Sequence, residues 1–141
     1  KGLLVLMLSI IVILSMLLLI GTLPVIGYDN NTMIRNDTLF IKGSYAKEIP
    51  ISSIIYIKGN AIVPPIGIRT NGISFGAYNV GHFRTKDQKD VLLYLHSDDT
   101  NVTHIKTRDN EDIYINFKDS VRSVDFTNKL KALYLQPATH N

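Results

Sequence analysis

The segment around an Asn-Gly pair carries side chains suited to binding a ligand. Arg69 offers a planar fork of donors, and Asn71 and Gly72 follow it closely. Asn-Gly tolerates positive φ, so the pair predicts a two-residue hairpin turn with Arg69 beside it. A guanidinium group and nearby backbone amides can bind an anion or a peptide carboxylate. The predicted ligand- or partner-binding residues are Arg69, Thr70, Asn71, Gly72, Phe75 and Tyr78.

A purely structural role for the same residues is the alternative, and we prefer it. Arg69 then pairs with a local carbonyl or carboxylate, and turn chemistry alone explains the Asn-Gly pair. Gly72, Gly76 and Gly81 are then turn and bulge residues.

Histidines give a second set of chemically active side chains. His96 and His104 flank a predicted turn at residues 97–101 and could face each other across a hairpin, with Asp98 or Asp99 near. No spaced metal-binding motif accompanies them. We therefore interpret them as surface histidines and predict no metal site.

Catalytic and nucleic-acid functions find little support in the composition. The chain has no cysteine, no Gly-x-Ser-x-Gly elbow and no glycine-rich phosphate loop, so we predict neither an enzyme nor a bound cofactor. Its 15 Lys and Arg and 12 Asp and Glu are interspersed rather than clustered. A nucleic-acid-binding surface needs a basic cluster, so we predict no nucleic-acid partner.

Short β-branched and aromatic runs indicate a mainly β fold. Gly, Asn, Asp, Ser or Pro residues bound each run, and no helical pattern lies between them. This pattern favours an antiparallel meander that curls into a sandwich or small barrel, and it excludes a parallel βαβ architecture. The predicted strands are residues 38–42, 46–49, 54–58, 91–95, 102–106 and 112–117.

One amphipathic helix is predicted at the C-terminal end of this domain. Asp119 or Ser120 can cap its first turn, and Phe126, Leu130 and Leu133 form an apolar stripe. Pro137 prevents continuation of the helix. We expect this helix to close one open end of the curled sheet, with Tyr134 beside its stripe.

The N-terminal stretch from Gly2 to Ile26 has no ionisable side chain. About 25 helical residues reach roughly 37 Å, enough to cross a hydrocarbon layer of about 30 Å. The sequence therefore predicts an integral protein of the cell membrane. Its predicted parts are a transmembrane helix (1–27), a linker (28–37), a β domain (38–136) and a tail (137–141). Residue 1 is Lys, so we expect a preceding segment that could hold another span.

The stretch 64–83 contains Arg-Thr-Asn-Gly at 69–72, followed by Gly-x-Phe at 81–83. Together with 41–45 and 115–119, it resembles the small bacterial pleckstrin-homology (PH) domains found behind membrane helices. The resemblance covers about residues 32–135. It implies a strongly bent, seven-stranded sheet closed by a C-terminal helix, and it implies no known activity. Relatives often have two preceding membrane helices, which would place the domain in the cytoplasm.

Three functions remain open from the sequence. The first is a non-enzymatic PH-like module that docks a protein or peptide at the bilayer surface, through a sheet edge or residues 69–78. The second is a sensor of a lipid headgroup or small ligand, and the third is a structural accessory of a larger membrane complex. Specific lipid binding is not predicted, because the first hairpin offers only Lys42 and Lys47, with Glu48 adjacent. Sheet edges could also pair to form a homo-oligomer.

Overall fold

The computed structural model describes residues 2–27 and 29–136, with the side chains at positions 4 and 17–27 left aside. The predicted tail, 137–141, lies outside the described residues. Two α-helices, nine strands and one short 3-10 helix (Ile51–Ser53) are formed within the described ranges. In chain order, the α-helices and strands are α1 (Gly2–Gly27), β1 (Thr32–Arg35), β2 (Thr38–Ile41), β3 (Lys47–Pro50), β4 (Ile54–Lys58), β5 (Ile66–Phe75), β6 (Tyr78–Thr85), β7 (Asp90–Leu95), β8 (Thr103–Thr107), β9 (Asp112–Ile115) and α2 (Ser120–Leu135).

The strands form two sheets. One is three-stranded and antiparallel, in the order β1-β2-β3, and the other is six-stranded, in the order β4-β8-β9-β7-β6-β5. Within the larger sheet, β7 and β9 run parallel and every other neighbouring pair is antiparallel. The predicted mainly β fold with a C-terminal helix is confirmed.

Three details of the predicted architecture are wrong. The described residues form nine strands rather than about seven, and the sheet is not wholly antiparallel. The predicted hairpin between residues 91–95 and 102–106 does not form, because β9 lies between β7 and β8. The parallel pair needs no crossover helix here, since the chain passes through β8 before it returns as β9.

The helix α1 covers the stretch for which the sequence predicts a membrane span. Counting only the residues that the structure describes, no helix has both the length and the apolarity needed to cross a membrane. The predicted transmembrane helix is therefore not confirmed.

The main hydrophobic core lies between the two sheets and is closed by α2. Leu39 and Ile49 come from the small sheet, and Ile105 and Ile113 come from the large one. Phe126 and Leu130 of α2 pack into the same cluster, with Leu133 against its margin. The residues of the predicted stripe thus lie on the face of α2 that packs against the core, as their spacing indicates. Asp119 caps the helix by accepting a hydrogen bond from the Val121 amide.

A second apolar cluster covers the opposite face of the large sheet. Phe83 and Leu93 belong to this cluster, together with Ala61 from the chain between β4 and β5. Val63 of the same connection and Ile66, the first residue of β5, pack against it. The central strand β7 is therefore buried on both faces, as five of its six residues show.

Within the predicted linker 28–37, the structure describes residues 29–37, and these contribute to the folded domain. They include β1. Asn30 is 2% exposed, and its side-chain amide donates to the carbonyls of Tyr94 and Asn116 at 3.3 Å each. The Asp29 carboxylate accepts from the Lys118 amide and from Arg122. These contacts attach the domain's N-terminal end to the start of α2.

Candidate functional site

The predicted binding residues Arg69, Thr70, Asn71 and Gly72 lie inside β5, not in a turn. The turn between β5 and β6 is formed by Gly76 and Ala77, with Gly76 at φ +56°. The predicted turn at Asn71-Gly72 is therefore wrong, and the reason is a close approach of two strands. Gly72 faces Gly81 across the β5–β6 pair, and a Cβ at Gly72 would lie 2.8 Å from the Val80 carbonyl oxygen.

β5 is a long, exposed edge strand. In the described part of the chain β6 is its only neighbouring strand, and none of its ten residues is fully buried. Ile68 is 57% exposed and Phe75 is 66% exposed. The register with β6 shifts between Ile66 and Ile68 and again between Arg69 and Asn71, after which residues 71–75 pair regularly.

A groove of about 560 Å³ lies beside the tip of this hairpin. We name it the Tyr45 groove. One wall is the β2–β3 loop, the other is the β5–β6 hairpin, and further sides come from β7 and the start of α2. Its lining residues are Asp29, Asn30, Asn31, Lys42, Gly43, Ser44, Tyr45, Ile73, Tyr78, Val80, Tyr94, His96 and Arg122.

Of the six predicted residues, the structure brings two to this groove. Tyr78 lines it and packs edge-on against His96, with ring centroids 4.9 Å apart. The Asn71 Oδ1 atom accepts a hydrogen bond of 3.5 Å from the Tyr45 hydroxyl. Arg69, Thr70, Gly72 and Phe75 lie elsewhere on the β5–β6 hairpin. Burial, and to a lesser extent Tyr45, raises the pKa of Tyr78, so its hydroxyl stays protonated near neutral pH.

Tyrosine hydroxyls hold the wall of the groove in place. The Tyr94 hydroxyl donates to the Tyr45 carbonyl at 2.7 Å, which fixes the β2–β3 loop against the large sheet. Burial raises the pKa of Tyr94 to about 12, with a smaller contribution from the charge of Glu111. This donor is therefore retained well above physiological pH.

The charges at the groove are partly compensated. Arg122 Nη1 lies 2.6 Å from Asp29 Oδ2. Burial opposes ionisation of Asp29, but the amides of Lys118 and Asn30 and the charge of Arg122 together lower its pKa below the usual value. Lys42, by contrast, makes no ion pair within the described residues, and it is exposed. The groove therefore carries an uncompensated positive charge at the β2–β3 loop.

The two histidines predicted to flank a turn do not meet. His96 lies at the groove, whereas His104 Nε2 lies 2.7 Å from Asp112 Oδ1 and its ring stacks on Tyr114. Lys106 contacts the other oxygen of Asp112 at 2.7 Å. Burial opposes ionisation of Asp112, but these two partners lower its pKa. Among the residues described, no three His, Asp or Glu side chains are grouped so as to hold a metal ion.

Sequence reasoning missed several residues of the groove. Tyr94, Asn30 and the Asp29–Arg122 pair carry no local motif, and the two members of that pair are 93 residues apart in the chain. The one available signal was Tyr45, which lies in a segment that resembles the PH domains.

Comparison with known families decides the affiliation. A family model described as a bacterial PH domain matches residues 30–131, well over half of the chain. The chain belongs to the bacterial PH domain family. The resemblance predicted from the sequence is thereby confirmed. No curated protein and no solved structure matched this chain.

Membership in this family indicates the general class of the protein. PH domains are in general non-catalytic interaction modules, and the two sheets with a closing C-terminal helix agree with a PH-like fold. The matched range of this bacterial PH domain includes β1 and both walls of the Tyr45 groove.

Proposed function

We propose that this bacterial PH domain is a non-enzymatic docking module that binds a segment of a partner protein as an additional strand on β5. One observation carries the proposal: β5 is a ten-residue edge strand with no fully buried residue, and the described residues supply it with a neighbour on one side only. An open edge presents unpaired N–H and C=O groups that an extended peptide can satisfy.

The other sheet edges are less suitable. The edge strands β1 and β3 of the small sheet have four residues each, which limits the number of main-chain bonds. At the β4 edge, the Tyr134 hydroxyl of α2 donates to the Ile55 carbonyl at 3.0 Å and so occupies one acceptor. Length and accessibility both favour β5.

The features that normally protect an edge are weak along the C-terminal half of β5. Natural edges are protected by charged residues, prolines and bulges. β5 has no proline, its one charged residue is Arg69, and its register shifts lie before Asn71. Residues 71–75 therefore form a regular stretch that can accept a partner strand.

Blocking the outer edge of β5 tests the proposal. Residues that flank a two-residue turn form a hydrogen-bonded pair, and such pairs alternate along an antiparallel ladder. Phe75 and Tyr78 flank the turn, so Ser74 directs its N–H away from β6. Peptides of twelve residues are selected from a random display library on the 141-residue chain. Ser74→Pro is expected to weaken the selected peptides about tenfold, because one main-chain bond is lost and the proline ring obstructs the edge.

Ser74→Val is the matched control for this experiment. Both substitutions remove the Ser74 hydroxyl, which bonds Asn79 Oδ1 at 2.7 Å, but valine keeps the backbone N–H. Peptide affinity, measured by fluorescence anisotropy, should change less than about twofold in this variant. Equal affinities for the proline and valine variants, or a library that yields no binder, would contradict docking on β5.

We further propose that the stretch from Gly2 to Ile26 holds the domain at the cell membrane, on the cytoplasmic side. Two features support attachment of this stretch to a membrane. The stretch has no ionisable side chain, and apolar side chains of α1 such as Leu3 and Val5 are exposed. A large apolar surface needs a cover of lipid or protein.

Alkaline carbonate extraction of membrane vesicles tests this location. The 141-residue chain should stay in the pellet and a fragment that starts at residue 29 should be released, since the anchor is then absent. Protease added to sealed, right-side-out vesicles should leave the domain intact. Release of the 141-residue chain by carbonate would contradict the anchor, and digestion of the domain would contradict its cytoplasmic side.

A lipid-headgroup sensor is less well supported by the groove. Headgroup recognition needs several converging cations, but Arg122 is compensated by Asp29 and Lys47 pairs with Glu111 at 2.7 Å. Lys42 alone gives a weak attraction to an anionic surface. A structural role within a larger membrane assembly agrees with the same docking edge, because the docked strand could belong to another subunit.

A further inference from the structure

We infer that the docked segment is acidic and places an aromatic side chain in the Tyr45 groove. This inference rests on the docking function proposed above and names the class of segment that the same edge would select. It follows from three features: the position of the groove beside β5, the aromatic walls of the groove, and the charges around both.

The groove adjoins the stretch of β5 that is free to pair. Ile73 is central to the regular stretch 71–75 and also lines the groove. An added strand lies about 4.8 Å from its neighbour, and its side chains alternate between the two faces. A side chain of the added strand on the same face as Ile73 therefore lies at the mouth of the groove.

The walls of the Tyr45 groove are suited to contact an aromatic ring. Three tyrosines, Tyr45, Tyr78 and the deeply buried Tyr94, line the groove together with Val80. Tyr78 and His96 already form an edge-to-face pair, with an interplanar angle of 75°. Aromatic rings favour such offset and edge-on arrangements, which add to the gain from burial. A volume of about 560 Å³ leaves space for one large side chain together with a short polar neighbour.

The charge around the edge and the groove is positive. Residues 66–75 contain Arg69 and no carboxylate. At the groove, Asp29 is paired with Arg122, so Lys42 has no compensating partner in the described part of the chain. Complementary charge speeds association and excludes partners of the wrong sign. An Asp or Glu next to the aromatic residue of the segment would meet Lys42.

A charge reversal in the 141-residue chain tests the inference. The random twelve-residue display library is selected in parallel on the wild-type chain, on Lys42→Glu and on Lys58→Glu. Lys58 is exposed on β4, at the opposite edge of the large sheet, so its reversal makes the same change in net charge away from the groove. The wild-type chain and Lys58→Glu should enrich peptides with an aromatic residue beside Asp or Glu. Lys42→Glu should instead enrich the aromatic residue beside Lys or Arg.

A single selected peptide gives the quantitative result. Its affinity should fall about fivefold in Lys42→Glu and should be restored when the peptide's acidic residue is changed to lysine. Tyr78→Ala should remove the preference for an aromatic residue. Selected peptides that stay acidic on Lys42→Glu, or stay aromatic on Tyr78→Ala, would overturn the inference. Sensitivity of those peptides to Ser74→Pro shows separately whether docking on β5 stands.

Discussion

Replacing Gly81 with alanine is expected to destabilise the domain by about 3 kcal/mol or more. Gly81 has φ +116°, a region that L side chains rarely adopt. A Cβ at this position would lie 2.6 Å from the Asn71 carbonyl oxygen and 2.7 Å from Gly72 Cα. Because both contacts are with backbone atoms, no side-chain rotation can relieve them, and β5 must move away from β6. Urea unfolding of the fragment 29–136 measures the loss.

Gly43→Ala separates the clash from the backbone conformation. Gly43 also has a positive φ, of +127°, but nothing lies within 4 Å of a Cβ built there. The expected cost is about 1 kcal/mol, from the strained φ alone. Similar costs at both positions would show that the β5–β6 pair does not depend on the close approach of Gly72 and Gly81.

Asn116→Ala is expected to cost about 2–4 kcal/mol of unfolding free energy. Asn116 is 1% exposed, and its Oδ1 accepts the His96 amide at 2.7 Å. Its Nδ2 donates to the Ser97 carbonyl at 3.0 Å and to the Asp99 carbonyl at 3.3 Å. Alanine leaves these backbone groups without their partner, and the chain after β7 loses the side chain that fixes its path.

Asn101→Ala provides the comparison for Asn116. Asn101 also bonds within this loop, to Asp99 Oδ1 and the Ser120 hydroxyl, but it is only half-buried, so water can replace the lost contacts. Its removal should cost less than about 1 kcal/mol in the same urea measurement. If the two substitutions cost the same, burial of the amide is not what makes Asn116 important.

Local patterns in the sequence were sufficient for the elements with a clear period. The stripe of Phe126, Leu130 and Leu133 predicts α2, and Asp119 caps it as expected. Six β-branched runs correspond to β2, β3, β4, β7, β8 and β9, with ends that differ by at most two residues. These elements could be found because burial on one face or both leaves a signal within a few neighbouring residues.

The wrong position predicted for the hairpin turn shows how a local sequence motif can mislead. Asn71-Gly72 is a strong turn signal, yet the structure uses Gly72 for its missing side chain rather than for its φ. The requirement arises from the Val80 carbonyl oxygen on the neighbouring strand, eight residues later in the chain. β5 also lacks a buried face, so its composition does not show the alternation of a half-buried strand.

The Tyr45 groove could not be predicted from local signals, since its contacts join distant parts of the chain. Asp29 reaches Arg122 across 93 residues, and Tyr94 reaches Tyr45 across 49. The position of β9 between β7 and β8 is a further non-local choice, and it also separated the two histidines that were expected to face each other. The family match supplies the overall fold, whereas the groove depends on particular long-range pairs.

The position of β9 also has a consequence for how the protein folds during its synthesis. It is the last of the nine described strands in the chain, and it alone joins the β4–β8 pair to the β7–β6–β5 group. Before Asp112 has been synthesised, the nascent chain can form only these two separate parts of the large sheet. The large sheet is therefore completed only when Asp112–Ile115 enters between them.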